Sequence, residues 1–213
     1  MKKFLALALA VLTVLALVSC GGPAETKPDE SSKAPESTKA PDDTKAPETE
    51  PTPDVPTTSV AVDALNSIWE KVGENDRFPA VGGMIENSVD GAAGQYNKDN
   101  ADEMDRQLGL PNEFASKVDD VASLFHMMNN NTFTGAAYHF TTAADAEAAV
   151  KAIEDNIHDR HWLCGFPDTL VILSLPGNIL VSAFGNDEII QAFKNAALTL
   201  DGAKLVSETP AVG

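Results

Sequence analysis

The sequence predicts an α+β fold, with helices packed on an antiparallel sheet of about three to five strands. Residues 170–175 and 179–184 are two continuous apolar runs, which is the pattern of interior strands. Pro176 and Gly177 between them suit the central positions of a type II turn, so the two runs predict a hairpin. Apolar residues at helical spacing lie on both sides of it. The C-terminal half is therefore expected to run strand, helix, strand, strand, helix.

Four segments repeat apolar residues with the 3.6-residue period of a helix. Their apolar stripes are Ala61, Leu65, Ile68 and Val72; Phe114, Val118, Val121, Phe125 and Met128; Ala146, Val150, Ile153 and Ile157; and Ile189, Phe193, Ala196 and Leu200. The residues that start them are Thr58 or Ser59, Pro111, Thr142 and Asn186. A shorter helix is predicted over residues 101–108, ending at Gly109. Residues 132–140 predict a further strand, and the segments 80–85 and 92–96 are candidates for edge strands.

Residues 1–19 have the pattern of a lipoprotein signal peptide. Lys2 and Lys3 form a charged start, and residues 4–18 are apolar apart from one threonine, a run shorter than a membrane span. Leu17-Val18-Ser19-Cys20 then has the form of a lipobox. We therefore expect cleavage between Ser19 and Cys20, and a lipid (diacylglyceryl, with palmitate-type chains) on Cys20. The two or three acyl chains of such a lipoprotein would anchor it firmly in the membrane.

Residues 20–58 are expected to be a disordered tether that follows the lipidated cysteine. The segment is rich in Pro, Glu, Thr and Lys, lacks apolar periodicity and repeats a Lys-Ala-Pro triplet, at residues 33–35, 39–41 and 45–47. Such a composition cannot repay the entropy of folding and favours an extended, partly polyproline II chain. At about 3.1 Å per residue it would reach on the order of 100 Å. Residues 59–213 then form a single globular domain.

Charge and cysteine content limit the partners of this domain. From Asp63 onward it has 9 Lys and Arg against 23 Asp and Glu, which argues against nucleic acid and anionic lipid as ligands. With Cys20 lipidated, Cys164 would have no partner for a disulfide. No cofactor is expected, and no motif for a serine nucleophile or a phosphate loop is present.

One cluster offers candidate chemistry. His158, His161 and Cys164 are spaced by three residues, so neighbouring faces of one helix could present them to Zn²⁺ or copper. Packing is the favoured interpretation, because His161 and Cys164 continue an apolar stripe. Cys164 is also a candidate nucleophile with His139 or His161 as its base, although no thiol-enzyme motif accompanies it. Neither a catalytic nor a metal-binding residue is therefore assigned.

The layout of the chain resembles a family of uncharacterised Gram-positive lipoproteins that carry a domain of unknown function. The resemblance covers roughly residues 63–200 and rests on organisation. Its features are the lipobox, the acidic Pro/Thr/Lys spacer, Phe125-His126-Met127-Met128, a strand near Tyr138, the helix with Val150 and Ile153, Phe166-Pro167 and the hairpin of residues 171–184. The resemblance implies a lipoprotein location and an α+β domain, and it implies no catalytic residues.

These observations predict a non-catalytic accessory or binding lipoprotein of the cell envelope. It would lie on the outer face of the bacterial cytoplasmic membrane, held by the lipid on Cys20, and contact an envelope protein or a small ligand. Two alternatives stay open. The domain could be an extracytoplasmic hydrolase, or it could capture a metal at His158, His161 and Cys164.

Overall fold

The computed structural model describes residues 59–163 and 165–212. The helices in this part of the chain are α1 (Val60–Trp69), α2 (Ala101–Glu103), α3 (Ala143–His158) and α4 (Asp187–Ala197). A π-helical turn over Met104–Leu108 continues α2, and 3₁₀ turns cover Glu74–Asp76, Ile85–Asn87 and Asn112–Lys117. The strands are β1 (Ala80–Gly82), β2 (Val89–Asp90), β3 (Gly94–Gln95), β4 (Val118–His126), β5 (Phe133–Phe140), β6 (Thr169–Leu175), β7 (Ile179–Gly185) and β8 (Lys204–Pro210).

All strands of the described residues join one antiparallel sheet in the order β2-β1-β4-β5-β7-β6-β8, and β3 pairs with β4 next to β1. The hairpin of β6 and β7 is inserted beside β5, so β5 and β6 run in the same direction and α3 connects them. In the same way α4 connects β7 to β8. Both connections cross toward the same edge of the sheet, but the strands from which they start, β5 and β7, are antiparallel. The right-handed preference of such crossovers therefore places α3 and α4 on opposite faces.

The apolar core agrees with this arrangement, since it divides into one layer on each face of the sheet. On the first face α1 and α4 cover the central strands, with Leu65, Ile68 and Phe193 buried against Ala122 and Leu124. On the second face α3 and the segment 101–117 cover the same strands. The buried residues of that layer include Met104, Leu108, Val121, Phe125, Tyr138, Ile153 and Phe184. The sheet is thus the middle layer of three, and its central strands are buried on both sides.

The structure confirms the α+β class and the antiparallel sheet, but the expectation of about three to five strands was too low. Eight strands are present in the described residues. The candidate edge strands at residues 80–85 and 92–96 form β1 and β3, and the strands that were not predicted are β2, β4 and β8. β2 has only two residues, and β8 has an exposed, charged sequence without a continuous apolar run, so local pattern does not reveal either of them.

The helix predicted over Phe114–Met128 is wrong, because these residues form a 3₁₀ turn followed by β4. A β-bulge between Val118 and Asp120 shifts the strand by one residue. Val118 and Val121, three apart, therefore reach the same face, and Phe125 joins them because residues four apart also share a face of a strand. Because of the bulge, the residues that share one face of this strand are spaced three and four positions apart, as they would be in a helix.

The remaining helix predictions are confirmed. The side chain of Thr142 accepts a hydrogen bond from the backbone N–H of Asp145 at the start of α3. The short helix ends at Gly109, which has φ of 95° as a left-handed C-terminal residue should. Asn186 precedes α4 but makes no side-chain cap. The Pro176-Gly177 hairpin forms, and Gly177 has φ of 84°.

The start of α1 is fixed by a strand as well as by its own cap. Ser59 Oγ accepts from the N–H of Val62 at 3.1 Å. Asp120 of β4 accepts from Ser59 Oγ at 2.8 Å, from the N–H of Ala61 at 2.9 Å and from Gln95 Nε2 at 2.6 Å. Burial of Asp120 raises its pKa, but these hydrogen bonds outweigh burial and lower the pKa below its ordinary value.

Several predictions fall outside the residues described. The signal peptide, Ser19, Cys20 and the tether all precede residue 59, and Cys164 is also outside. From residue 59 onward, no helix that the structure describes has the length and apolar character of a membrane span.

Candidate functional site

A pocket of about 670 Å³ opens on the α3 side of the sheet, and we call it the Arg160 pocket. The segment 159–163, which follows α3, forms one wall. The loop between β4 and β5 forms another, and the π-helical turn after α2 a third. Thr134 of β5 and Phe184 of β7 lie at its base. Its volume is in the range of small-molecule sites in proteins.

Arg160 contributes the positive charge of this pocket. Its Nε and Nη2 donate to Asn156 Oδ1 at 3.1 and 2.9 Å, and Nη2 also donates to the backbone carbonyl of Asp105. The guanidinium lies 5.7 Å from the ring of Trp162 and 5.6 Å from that of Phe184. These contacts hold the guanidinium between two aromatic rings in a fixed orientation.

The charge of Arg160 is not neutralised by an ion pair. Within residues 59–163 and 165–212, no carboxylate forms a salt bridge with Arg160, and its Nη1 has no hydrogen-bond partner. Burial lowers the pKa of Arg160, opposed by Tyr138 and Asp105, yet an arginine stays protonated at neutral pH. A partly buried cation without an anionic partner is uncommon, because desolvation of a charge is costly.

Trp162 adds a second donor without a partner. Its Nε1 is buried and makes no hydrogen bond to any residue that the structure describes. Its ring packs against Phe184 with centroids 5.5 Å apart. Most buried N–H groups in proteins are paired, and an exception often marks the place of a bound water or ligand. The two unpartnered donors belong to residues only two positions apart.

The remaining lining residues are mostly polar and include two aspartates, and Leu163 adds an apolar side chain. Asp105 is engaged internally, since its carboxylate accepts from Asn156 Nδ2 at 3.0 Å and from the N–H of Asn112 at 3.3 Å. Asp159 lies on the lining without an ion pair. Leu163, also on the lining, is 90% exposed. The pocket therefore combines a fixed cation with an apolar wall.

Of the three candidate metal ligands, the structure describes His158 and His161, and Cys164 lies outside the described residues. His158 Nε2 lies 2.7 Å from the carbonyl of Pro210 and 3.1 Å from Thr209 Oγ1. A carbonyl can only accept, so Nε2 carries the proton and is not free to bind a metal. His161 lies beyond the end of α3, exposed, on the wall of the Arg160 pocket. Among the residues whose placement is given, no group of three His, Cys, Asp or Glu side chains could hold a metal.

The predicted pairing of Cys164 with His139 stays a prediction, because the structure describes His139 and not Cys164. Gly165 accepts a hydrogen bond from Asn131 Nδ2 at 3.1 Å, just before β5 begins. His139 is near the other end of β5, where it contacts Asp119. Six residue steps at about 3.4 Å separate the two ends of the strand by about 20 Å. Gly165 and His139 thus lie near opposite ends of β5.

Two further cavities adjoin the same side of the sheet. One, of about 300 Å³, contains Tyr96 and Phe125 and shares Gln107 and Asn130 with the Arg160 pocket. Burial, with Glu103 adding to it, raises the pKa of Tyr96 to about 12, so its hydroxyl stays protonated at neutral pH. The other, of about 370 Å³, is an apolar cleft between α3 and the β6–β7 hairpin.

Sequence reasoning singled out the segment 158–164 but not the residues that matter most in it. Asp159 to Leu163 all line the pocket, and Arg160 and Trp162 provide its unpartnered donors. The available signal in the sequence was Arg160, two positions before Trp162, in a chain with a net charge of −17.

Comparison with known proteins adds no assignment: no family model, no curated protein and no solved structure matches this chain. The resemblance to uncharacterised Gram-positive lipoproteins stays a prediction.

Proposed function

We propose that this protein is a membrane-anchored extracytoplasmic lipoprotein whose domain binds a ligand in the Arg160 pocket without catalysing its reaction. The observation that carries the binding role is the half-buried guanidinium of Arg160, which forms no salt bridge with a carboxylate of the described residues. Three hydrogen bonds and two aromatic rings hold it in place at the wall of a cavity of about 670 Å³. A ligand with complementary charge would supply the missing partner.

The lining supports binding more than catalysis. Hydrolysis through a covalent intermediate requires a nucleophilic side chain that a neighbouring base activates. Thr134 Oγ1 donates to the carbonyl of Asn130 at 3.0 Å, so its proton is not offered to a base. No described side chain of the lining is a nucleophile hydrogen-bonded to His161 or to Asp159. A covalent hydrolase mechanism thus has no support among the described residues of this pocket.

Retention of a ligand through purification tests the binding role. The lipidated protein is extracted in mild detergent and measured by native mass spectrometry, beside an Arg160→Gln variant. We expect an additional bound mass on the wild type that the variant lacks. Equal spectra for the two proteins, together with ester or amide hydrolysis by the wild type above the blank, would overturn the proposal.

The membrane location has its own test. A Cys20→Ala variant should be released into the medium or accumulate as the unprocessed precursor, because no thiol remains to carry the lipid. A Ser32→Ala variant is the control and should fractionate with membranes. If Cys20→Ala instead stayed membrane-bound and matured, the lipoprotein assignment would be wrong.

A further inference from the structure

We infer that the Arg160 pocket recognises a monocarboxylate carried on an apolar, amide-containing body, that is, the free carboxylate end of a peptide-like molecule. This inference rests on the proposed binding function and adds the chemical class of the ligand. It follows from the donors, the charge balance and the lining of the pocket.

The donors fit a carboxylate. A guanidinium binds a carboxylate through N–H groups in a planar fork, and Nη1 of Arg160 is available for this because Asn156 and Asp105 occupy only Nε and Nη2. Trp162 Nε1 is a further N–H without a partner among the described residues. A carboxylate has two oxygens and several acceptor positions, so it can accept from Arg160 Nη1 and keep an acceptor for a second donor.

The charge balance disfavours a ligand with two negative charges. Arg106 and Arg160 line the pocket on the positive side, and Asp105 and Asp159 line it on the negative side. A phosphate dianion would bring excess negative charge close to two carboxylates, whereas a monocarboxylate pairs with Arg160 alone. The acidic surface of the whole chain adds to the repulsion of a dianion.

The rest of the lining describes the body of the ligand. The rings of Trp162 and Phe184 and the exposed side chain of Leu163 form an apolar wall beside Arg160. Side-chain amides occur on the other walls, at Gln107 and Asn130. Amide groups pair well with a peptide bond, since both carry a donor and an acceptor. An apolar side chain next to a free α-carboxylate meets both requirements.

The test compares a carboxylate probe with its uncharged amide analogue. N-acetyl-L-phenylalanine and N-acetyl-L-phenylalanine amide share one body and differ in the carboxylate. Isothermal titration calorimetry on the detergent-solubilised, lipidated protein should show the acid binding at least about tenfold more tightly than the amide, as expected when a charged hydrogen bond is lost. Phenyl phosphate, the dianionic probe, should bind more weakly than the acid.

Variants locate the binding. Arg160→Gln should weaken the acid at least about tenfold and leave the amide unchanged. Trp162→Phe keeps the ring and removes Nε1, and should weaken the acid about threefold to tenfold. Arg77→Gln is the matched control. Arg77 also donates hydrogen bonds to backbone carbonyls, those of Val72 and Glu70, and its guanidinium lies over the ring of Trp69. Arg77 does not line the Arg160 pocket.

The results separate the two proposals. Equal binding of acid and amide, tighter binding of phenyl phosphate, or no binding of either compound would overturn the carboxylate assignment, even if Arg160→Gln fails to fold. A retained ligand in native mass spectrometry that is neutral would leave the binding function standing and remove only the ligand class. Tighter acid binding that Arg160→Gln abolishes and Arg77→Gln preserves is the expected outcome.

Discussion

Replacement of Asp120 by alanine should destabilise the domain by about 2–3 kcal/mol, which is the expected scale for several hydrogen bonds to one charged group. Asp120 accepts from Ser59 Oγ, the Ala61 N–H and Gln95 Nε2. Its charge also lies at the N-terminus of α1, where the helix dipole adds about 0.3–1 kcal/mol. Because the side chain is only half buried, water replaces part of what is lost, and the estimate stays below the full sum.

The assay is urea unfolding followed by circular dichroism at pH 7. Asp119→Ala is the matched control, since Asp119 is the neighbouring residue of the same strand and its contact with His139 is exposed. Exposed pairs contribute about 0–1 kcal/mol, so the control should change stability little. Equal effects of the two substitutions would refute the assignment of Asp120 as the residue that holds the start of α1.

The pH dependence gives a second check on Asp120. Its pKa in the folded state is lowered, so its contribution to stability is present above the unfolded value of about 3.9. The contribution is lost as the pH falls through the folded pKa. The stability gap between wild type and Asp120→Ala should therefore narrow below about pH 4. A gap that stays constant from pH 7 to pH 2 would contradict this reasoning.

Three further substitutions test the fold. Gly82→Ala should destabilise by about 3 kcal/mol in urea unfolding, because its Cβ would lie 2.2 Å from the backbone nitrogen of Gly94 in β3. Gly177→Ala, with no atom within 4 Å of its Cβ but φ of 84°, should cost only about 1 kcal/mol. Tyr138→Phe should cost about 1–1.5 kcal/mol, since the buried hydroxyl donates to the carbonyl of Leu108 at 3.0 Å. If Tyr138→Phe were neutral, that hydroxyl would not stabilise the π-helical turn beside the pocket.

Elements with local signals were predictable from the sequence. α3 has an apolar stripe, a capping threonine and a clear end, and each of these is set by residues within a few positions of one another. The β6–β7 hairpin has a turn sequence between two apolar runs. β4 was mispredicted because a bulge changes which residues share a face, and a bulge depends on the pairing with β5, which is distant in the chain.

The sequence predicted which segment carries the candidate site, but not which contacts its side chains make. The sequence indicated that residues 158–164 carry unusual side chains, and five of them line the pocket. It could not indicate that Asn156 and the carbonyl of Asp105 would occupy two nitrogens of Arg160 and leave the third free. That arrangement depends on contacts between residues about 50 positions apart, which only the folded sheet brings together.

The path of the chain through the sheet separates the start of the described domain from the pocket. Ser59, where the described chain begins, is held by Asp120 at the first residues of β4 and leads into α1. The Arg160 pocket lies at the far end of that strand and on the opposite face, under α3. Five residue steps from Asp120 to Phe125 alone span about 17 Å. Ser59 thus lies at one corner of the sheet, and the mouth of the Arg160 pocket lies at the diagonal corner.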